Sequence, residues 1–289
     1  MARFNRIRLV HVTSLSAEHL DRLRSLSKHD IEILRDLPTN SRQLSDFMDD
    51  TDAVLVSTRV AVDAESIAES ESLKYIGVYG THLGLIDRAA AARRNITVTN
   101  VDGYCNRETA EFTMDQLGKR FEKHPPPSKR NTVFGIVGLG RVGKELAGLA
   151  GQAGYSVLYT SRTRKPELES ERLQYAQIGE LLKRSDVISL QVPPGCMVLR
   201  REEFDLMGGE KILINTSRDV VTDPQALEKW LKNPSHTLIL DSVAGRYLPN
   251  VHGLGNVVIA KESAWLKESS KKRLGDLLIR NMETYLSSS

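Results

Sequence analysis

The stretch 133-VFGIVGLGRVGKELAGLAGQAG-154 decides how this chain folds. Apolar residues lead into the glycine loop, residues 138–143, and an alanine- and leucine-rich stretch follows it. This order predicts a β-strand, a tight turn and an α-helix, the unit that binds the diphosphate of a dinucleotide. The alternative interpretation is a glycine-rich turn in an α/β core that has lost its ligand.

Each glycine of the loop has its own predicted task. The first allows the tight turn, the second lets the backbone approach the diphosphate, and the third lets helix and strand pack closely. Free amides at the start of the helix would then bind phosphate. The predicted cofactor-binding residues of the loop are Gly138, Gly140, Arg141, Val142 and Gly143.

The basic turn, residues 161–165, predicts which dinucleotide binds. About 20 residues after the glycine loop, an NAD site usually carries an acid for the ribose hydroxyls. Here the sequence SRTRK follows the strand SVLYT and holds no acid. Guanidinium groups bind phosphate bidentately, and hydroxyl groups donate to it. We therefore predict NADP(H) in preference to NAD(H), bound by Ser161, Arg162, Thr163 and Arg164; a solvated basic turn is the alternative.

Predicted strands alternate with helices along the whole chain. Strands are expected at 7–12, 31–34, 53–57, 73–78, 96–99, 133–137, 156–160, 187–192, 212–215, 237–240 and 257–260. A long helix is expected over 108–123, and the three prolines that begin at Pro125 end it and mark a boundary before the next predicted strand. A last helix is expected over 264–286. Apolar strands that alternate with helices indicate parallel sheets covered on both faces. The predicted fold is α/β, with two doubly wound parallel-sheet domains.

Composition excludes several classes of protein. A length of 289 residues favours about two domains. The net charge is +3 and the basic residues are scattered, so no nucleic-acid surface is expected. The two cysteines, Cys105 and Cys196, lie far apart, which argues against a disulfide or a metal site and favours a reducing cytoplasm. No apolar run reaches membrane-spanning length, so no membrane association is expected.

Beyond the glycine loop, the sequence resembles the D-2-hydroxyacid dehydrogenase family, which includes glyoxylate and hydroxypyruvate reductases. The resemblance rests on the segments 73–111, GIVGLGRVG (135–143), SDVISLQVP (185–193), ILINTSRDVVTDPQAL (212–227), LILDS (238–242) and NVVIA (256–260). It implies a flavodoxin-like substrate domain formed by residues 1–105 and 265–289, around a Rossmann-type NADP-binding domain at 106–264. It also implies reduction of a small 2-oxo acid, or a related imine, by hydride transfer.

The resemblance assigns roles to individual residues. Tyr79, Gly80 and Thr81 fall on the loop whose backbone amides hold a substrate carboxylate. Arg218 falls on the arginine that binds this carboxylate and the reacting carbonyl, in keeping with its planar fork of donors. The positions that contact the cofactor in the family are here Val192, Pro193, Thr216 and Asp241.

The acid–base pair of the family is replaced. Its glutamate position holds Arg246, and the position of its histidine, the proton donor, holds Glu262. Glu262 could act as an acid only if its pKa were raised by about 2–3 units. It could instead form an ion pair with Arg246, with His82 or His252 as a relocated proton donor; His82 lies beside the carboxylate loop.

Two functions therefore compete. The first is an NADP(H)-dependent oxidoreductase with a small-molecule carboxylate substrate and a non-standard proton donor. The second is a catalytically degenerate NADP(H)-binding sensor or scaffold. The family forms homodimers through a helical arm, and here the segment 124-HPPPSKRN-131 replaces it. The resemblance thus implies a homodimer with a shortened dimerisation arm.

Overall fold

The computed structural model describes residues 2–126 and 131–288. The chain forms two compact units. The two-part unit contains Met1–Tyr104 and Glu268–Ser289, and the central unit contains Cys105–Lys267. Within the segment predicted to replace the dimerisation arm, residues 127–130 lie outside the described residues, so the shortened arm stays a prediction.

The strands and helices follow one another along the whole chain. The strands are β1 Ile7–Val10, β2 Glu32–Leu34, β3 Ala53–Ser57, β4 Ala61–Val62, β5 Tyr75–Tyr79, β6 Leu85–Ile86, β7 Thr97–Asn100, β8 Val133–Val137, β9 Ser156–Thr160, β10 Leu173–Tyr175, β11 Val187–Leu190, β12 Ile212–Asn215, β13 Thr237–Leu240 and β14 Val257–Ile259. The helices are α1 Ala17–Ser25, α2 Ser41–Met48, α3 Ala64–Glu69, α4 Arg88–Arg93, α5 Asn106–Lys123, α6 Arg141–Gln152, α7 Ile178–Arg184, α8 Arg201–Asp205, α9 Pro224–Leu231, α10 Ala244–Tyr247 and α11 Glu268–Ser288.

The central unit is built on a seven-stranded parallel sheet in the order β10-β9-β8-β11-β12-β13-β14. This is the strand order of a dinucleotide-binding fold, extended by one strand at the β14 edge. Strand β8 is buried on both faces, because Phe134 and Ile136 enter one apolar cluster while Val137 enters another. Its carboxyl end lies between β9 and β11, where the strand order reverses and ligands bind in such folds.

The two-part unit is built on a five-stranded parallel sheet in the order β2-β1-β3-β5-β7, with β4 and β6 forming a separate pair. This is the flavodoxin order. The C-terminal helix α11 packs on β5 and α1. Near its end, Tyr285 lies 5.1 Å from the ring of Tyr75 and 5.6 Å from that of Phe4, between ring centroids. Burial raises the pKa of Tyr75 to about 12.

Together the two sheets confirm the predicted α/β fold of two doubly wound parallel sheets. The sequence pattern does not predict strands β4, β6 and β10, each of which is two or three residues long. The prediction of a helix from residue 264 is wrong over its first four residues, since α11 begins at Glu268. Among the described residues, no helix combines the length and the apolar character needed to cross a membrane.

Candidate functional site

Two glycines of the glycine loop are required by the protein itself. Gly138 has a φ of +103°, and a Cβ atom there would lie 2.2 Å from the carbonyl oxygen of Gln191. A Cβ atom on Gly143 would lie 2.2 Å from the carbonyl oxygen of Gly138. The first glycine therefore lets the turn pass against the end of β11, and the third lets α6 start close to that turn.

Gly140 is different, because no atom of the protein requires a glycine at this position. A Cβ atom there would meet nothing within 4 Å, and the backbone φ of −79° suits any residue. Gly140 is the N-cap of α6 and supplies no side-chain cap. The first amides of an α-helix have no partner within the helix, so this end presents donors and a positive dipole. Open space over such an end is what an approaching diphosphate needs.

A cleft of about 570 Å³ opens beside the glycine loop, at the carboxyl ends of β8, β9 and β11. Residues from four separate stretches meet in it: Val137, Gly138, Leu139, Gly140, Thr160, Ser161, Arg162, Thr163, Lys165, Ile178, Gln191, Val192, Pro193, Cys196 and Val198. The cleft thus brings the predicted Val192 and Pro193 together with the glycine loop and the basic turn. Arg141 and Val142 form the first helical turn of α6 and lie outside this lining.

The basic turn presents two cations to the cleft, Arg162 and Lys165. Within the part of the chain that the structure describes, neither side chain has an ion pair. The hydroxyl of Ser161 donates to the carbonyl of Thr163 at 2.6 Å, which closes the turn. The turn therefore directs positive charge into the space next to the end of β9.

Arg164 does not line the cleft, contrary to its predicted role in cofactor binding. Its guanidinium donates to both carboxylate oxygens of Glu169, at 2.8 and 2.7 Å, and its Cζ lies 5.4 Å from the ring centroid of Tyr175. The hydrogen bond from Arg164 lowers the pKa of Glu169, and the hydroxyl of Tyr159 donates to the same carboxylate. The acidic partner lies five residues further along, outside the SRTRK motif, and it draws Arg164 away.

Arg218 follows the end of β12 and is half-buried. The amide of Ser217 donates to the side-chain oxygen of Asn215 at 2.8 Å, which shapes the turn that carries Arg218. The Cζ atom of Arg218 lies 3.6 Å from the ring centroid of Trp265, in the turn after β14. Thr216 is buried beside Gln191, whose side-chain amide lies 3.4 Å from its hydroxyl. The sequence does not single out Trp265, because its pattern predicts a helix that already includes this residue, whereas the helix begins at Glu268.

Asp241 is fully buried at the end of β13 and binds backbone of two different segments. One carboxylate oxygen accepts from the amide of Ala244 at 2.7 Å, and the other accepts from the amide of Ala264 at 2.9 Å and from the Ser263 hydroxyl at 3.4 Å. Burial raises the pKa of this carboxyl, while these hydrogen bonds oppose the shift. Both oxygens therefore serve the protein's own backbone.

The two residues at the positions of the family's acid–base pair are both exposed. In the described ranges no ion pair or side-chain hydrogen bond involves Arg246 or Glu262, so the predicted ion pair between them does not form. The carbonyl of Glu262 accepts from the amide of Ser242 at 3.1 Å, which holds the backbone while the side chain points outward. The Glu262 side chain therefore faces solvent and not Arg246.

The loop predicted to hold a substrate carboxylate follows β5 in the two-part unit. The amide of Gly80 donates to the carbonyl of Val78 at 2.9 Å, so this predicted donor is already used. The carbonyl of Thr81 accepts from the side chain of Asn100, and the side chain of His82 is exposed. The Tyr79 hydroxyl lies 3.3 Å from that of Ser14, and burial raises the pKa of Tyr79. His252, the other histidine considered, lies in the central unit with its Nε2 atom 2.7 Å from the carbonyl of Gly245.

Comparison with known proteins identifies the family. The model of the D-isomer specific 2-hydroxyacid dehydrogenase NAD-binding domain matches residues 104–260. A glyoxylate reductase of Thermococcus litoralis is 31% identical, and the match covers 88% of this chain and 86% of the relative. A hydroxypyruvate reductase of Blautia hydrogenotrophica is 25% identical, and the match covers 82% of this chain and 83% of that protein.

Two solved structures extend the likeness over nearly the whole length. A protein of Thermus thermophilus is 27% identical with a TM-score of 0.82, covering 98% of this chain and 97% of that one. An acyclic imino acid reductase solved with NADPH and D-Arg is 25% identical with a TM-score of 0.79, covering 97% of both chains. The chain therefore belongs to the D-isomer specific 2-hydroxyacid dehydrogenases, a family of NAD(P)-dependent oxidoreductases, which confirms the resemblance seen in the sequence.

Proposed function

We propose that this protein is an NADP(H)-dependent reductase of a small 2-oxo acid or of a related imine. The observation that carries the proposal is the pair of cations, Arg162 and Lys165, that line the cleft beside the glycine loop. A dinucleotide whose diphosphate lies over the start of α6 places its adenosine ribose at the end of β9. In that position a 2′-phosphate would meet Arg162 and Lys165, where an NAD enzyme has an acid.

The state of Arg164 supports this cofactor preference. Glu169 neutralises Arg164 but leaves Arg162 and Lys165, which face the cleft. A single exposed cation without a partner costs little free energy. Two cations in one concave space repel each other, and a bound anion removes this repulsion. The doubly charged 2′-phosphate suits this arrangement, and the neutral ribose of NAD(H) does not.

The proposed substrate is a compound with a carboxylate next to a reducible carbon. Arg218 has the planar fork that binds a carboxylate and the adjoining oxygen together. The relatives named glyoxylate reductase and hydroxypyruvate reductase act on such 2-oxo acids by name. By the same resemblance, Tyr79, Gly80 and Thr81 remain predicted substrate contacts of the two-part unit.

An imine is included because of the proton. Reduction of a carbonyl needs a proton donor at the oxygen, whereas an iminium ion already carries the proton that its nitrogen keeps. Because the side chain of Glu262 points outward, His82 is our proposed donor for an oxo acid. The likeness to an acyclic imino acid reductase solved with NADPH favours testing imines.

The test is a comparison of NADPH and NADH with a panel of 2-oxo acids, each with and without ammonium or a primary amine. We expect Arg162→Ala to raise the KM for NADPH by roughly 10- to 100-fold, the loss of a charge-assisted hydrogen bond, and to leave NADH oxidation unchanged. Arg164→Ala is the matched control, because it removes the same charge from the same turn but from a side chain bound to Glu169. Equal effects of both variants, or a wild-type preference for NADH, would remove the cofactor assignment.

A second candidate function is an NADP(H)-binding sensor or scaffold without hydride transfer. The exposed, unlinked Arg246 and Glu262 favour it, because no acid–base pair stands at these positions. This function predicts tight binding of NADPH together with no deuterium transfer from deuterated NADPH to any member of the panel. Transfer of label to one product would exclude it.

A further inference from the structure

Trp265 covers one face of the Arg218 guanidinium inside the central unit. The Cζ atom of Arg218 lies 3.6 Å from the centroid of the Trp265 ring, which is stacking distance and well within the range of a cation–π contact. Both side chains are half-buried, so the contact is shielded from part of the solvent. Tryptophan is the strongest aromatic partner for such a cation.

We propose that Trp265 is the positioning residue of Arg218 and fixes the plane in which Arg218 meets the substrate carboxylate. This inference rests on the proposed role of Arg218 in binding that carboxylate. All donors of a guanidinium lie in its plane and point outward from its edge. A ring stacked on one face therefore restricts the orientation of the fork without competing for its hydrogen bonds.

The position of Trp265 is itself set by the buried carboxylate of Asp241. Asp241 accepts from the amide of Ala264, the residue before Trp265, at 2.9 Å, and Ala264 is fully buried. The neighbouring bond from the amide of Ser242 to the carbonyl of Glu262, at 3.1 Å, holds the other side of the same turn. Two contacts thus connect the ends of β12, β13 and β14: Asp241 holds the amide of Ala264, and the next residue, Trp265, stacks on Arg218.

The contact between Trp265 and Arg218 can be followed by tryptophan fluorescence. The chain contains two tryptophans, and Trp230 is buried and stacks on His236 with ring centroids 4.1 Å apart. The emission of Trp265 should therefore respond when an anion binds Arg218, while Trp230 supplies a constant background. The probe is oxamate, which carries a carboxylate next to an amide carbonyl. NADPH does not reduce an amide carbonyl, so oxamate binds without reacting.

The experiment measures oxamate binding to the NADPH complex by fluorescence and by calorimetry. We expect Trp265→Leu to weaken oxamate binding, and to raise the KM of the 2-oxo acid, by roughly 2- to 30-fold, with Trp265→Phe in between. The Kd of NADPH should stay unchanged in both variants, which also shows that they are folded. Leu266→Ala, a change of the exposed neighbouring side chain, is the matched control and should leave oxamate binding unaltered.

A double-mutant cycle separates positioning from general support of the turn. If Trp265 acts through Arg218, Trp265→Leu should have little further effect once Arg218→Lys has removed the planar fork. Additive effects of the two changes would overturn the inference while leaving the role of Arg218 in place. Oxamate binding that is insensitive to Arg218→Ala, or absent in the unaltered protein, would overturn the proposed role of Arg218 and the inference with it.

Discussion

Replacing Gly140 by alanine is expected to weaken nucleotide binding strongly while the protein stays folded. A Cβ atom at this position meets no protein atom within 4 Å, and its backbone angles, φ −79° and ψ −157°, suit alanine. We therefore expect the free energy of unfolding to change by less than about 1 kcal/mol. The new methyl group would stand where the diphosphate approaches the start of α6. Loss of one charge-assisted hydrogen bond there should weaken NADPH binding by roughly 10- to 100-fold.

Gly143→Ala is the matched control, because it adds the same methyl group three residues away. Its Cβ atom would lie 2.2 Å from the carbonyl oxygen of Gly138, so the start of α6 must move. Such overpacking costs about 1–3 kcal/mol, against a gain of about 1 kcal/mol from the helix propensity of alanine over glycine. This variant should lose both stability and nucleotide binding, whereas Gly140→Ala should lose binding alone.

Urea unfolding followed by circular dichroism and titration calorimetry with NADPH measure the two effects separately. If Gly140→Ala binds NADPH as tightly as the unaltered protein, the diphosphate does not lie over this loop, and the reasoning from the open space at Gly140 is refuted. If Gly140→Ala unfolds like Gly143→Ala, the space at Gly140 is not open in the folded protein.

Two further predictions concern the stability of the two units. His236→Ala should lower the free energy of unfolding by about 1–3 kcal/mol, because its ring nitrogens lie 2.8 Å from the carbonyl oxygens of Trp230 and Gly209 and at least one of these buried oxygens would lose an N–H donor; an unchanged urea midpoint would contradict this. Asp63 is the N-cap of α3, and the hydrogen bonds from the Ser41 hydroxyl and the Ser66 amide lower its pKa below the ordinary value of 3.8. The ionised carboxylate therefore stabilises the folded protein fully above pH 3.8, and this stabilisation is lost as the pH falls through the lowered pKa of the folded state. Asp63→Ala should therefore cost about 1 kcal/mol at pH 7, and the gap between the two unfolding curves should narrow below pH 4; a gap that widens in acid would show that the charge of Asp63 does not stabilise the helix.

The sequence alone determined the fold class and the nucleotide-binding unit. Apolar runs of strand length alternating with amphipathic stretches predicted nearly every strand of both sheets, because this periodicity is a local property of neighbouring residues. The requirement for glycine in the glycine loop is also local. Gly138 has a φ of +103°, and the carbonyl oxygen of Gly138 leaves no room for a Cβ atom on Gly143, so both requirements arise within six residues of the chain. Such features require no knowledge of what packs on them.

The tertiary structure decided where individual side chains point. The sequence SRTRK does not reveal that Glu169 captures Arg164 while Arg162 and Lys165 face the cleft. An ion pair between Arg246 and Glu262 was a reasonable expectation from the exchange of two charges, yet both side chains are exposed. The direction in which such a side chain points depends on its partners in other segments of the chain, and spacing in the sequence does not specify these partners.

The turn at Trp265 shows most directly why the sequence alone does not determine the local structure at this site. Its sequence continues smoothly into α11 and predicted a helix, but the buried carboxylate of Asp241, 23 residues earlier, takes the amide of Ala264 and delays the helix to Glu268. A hydrogen bond between distant residues in the core outweighs the modest helix propensity of four residues. Only the folded chain brings the two together, and with them the contact between Trp265 and Arg218.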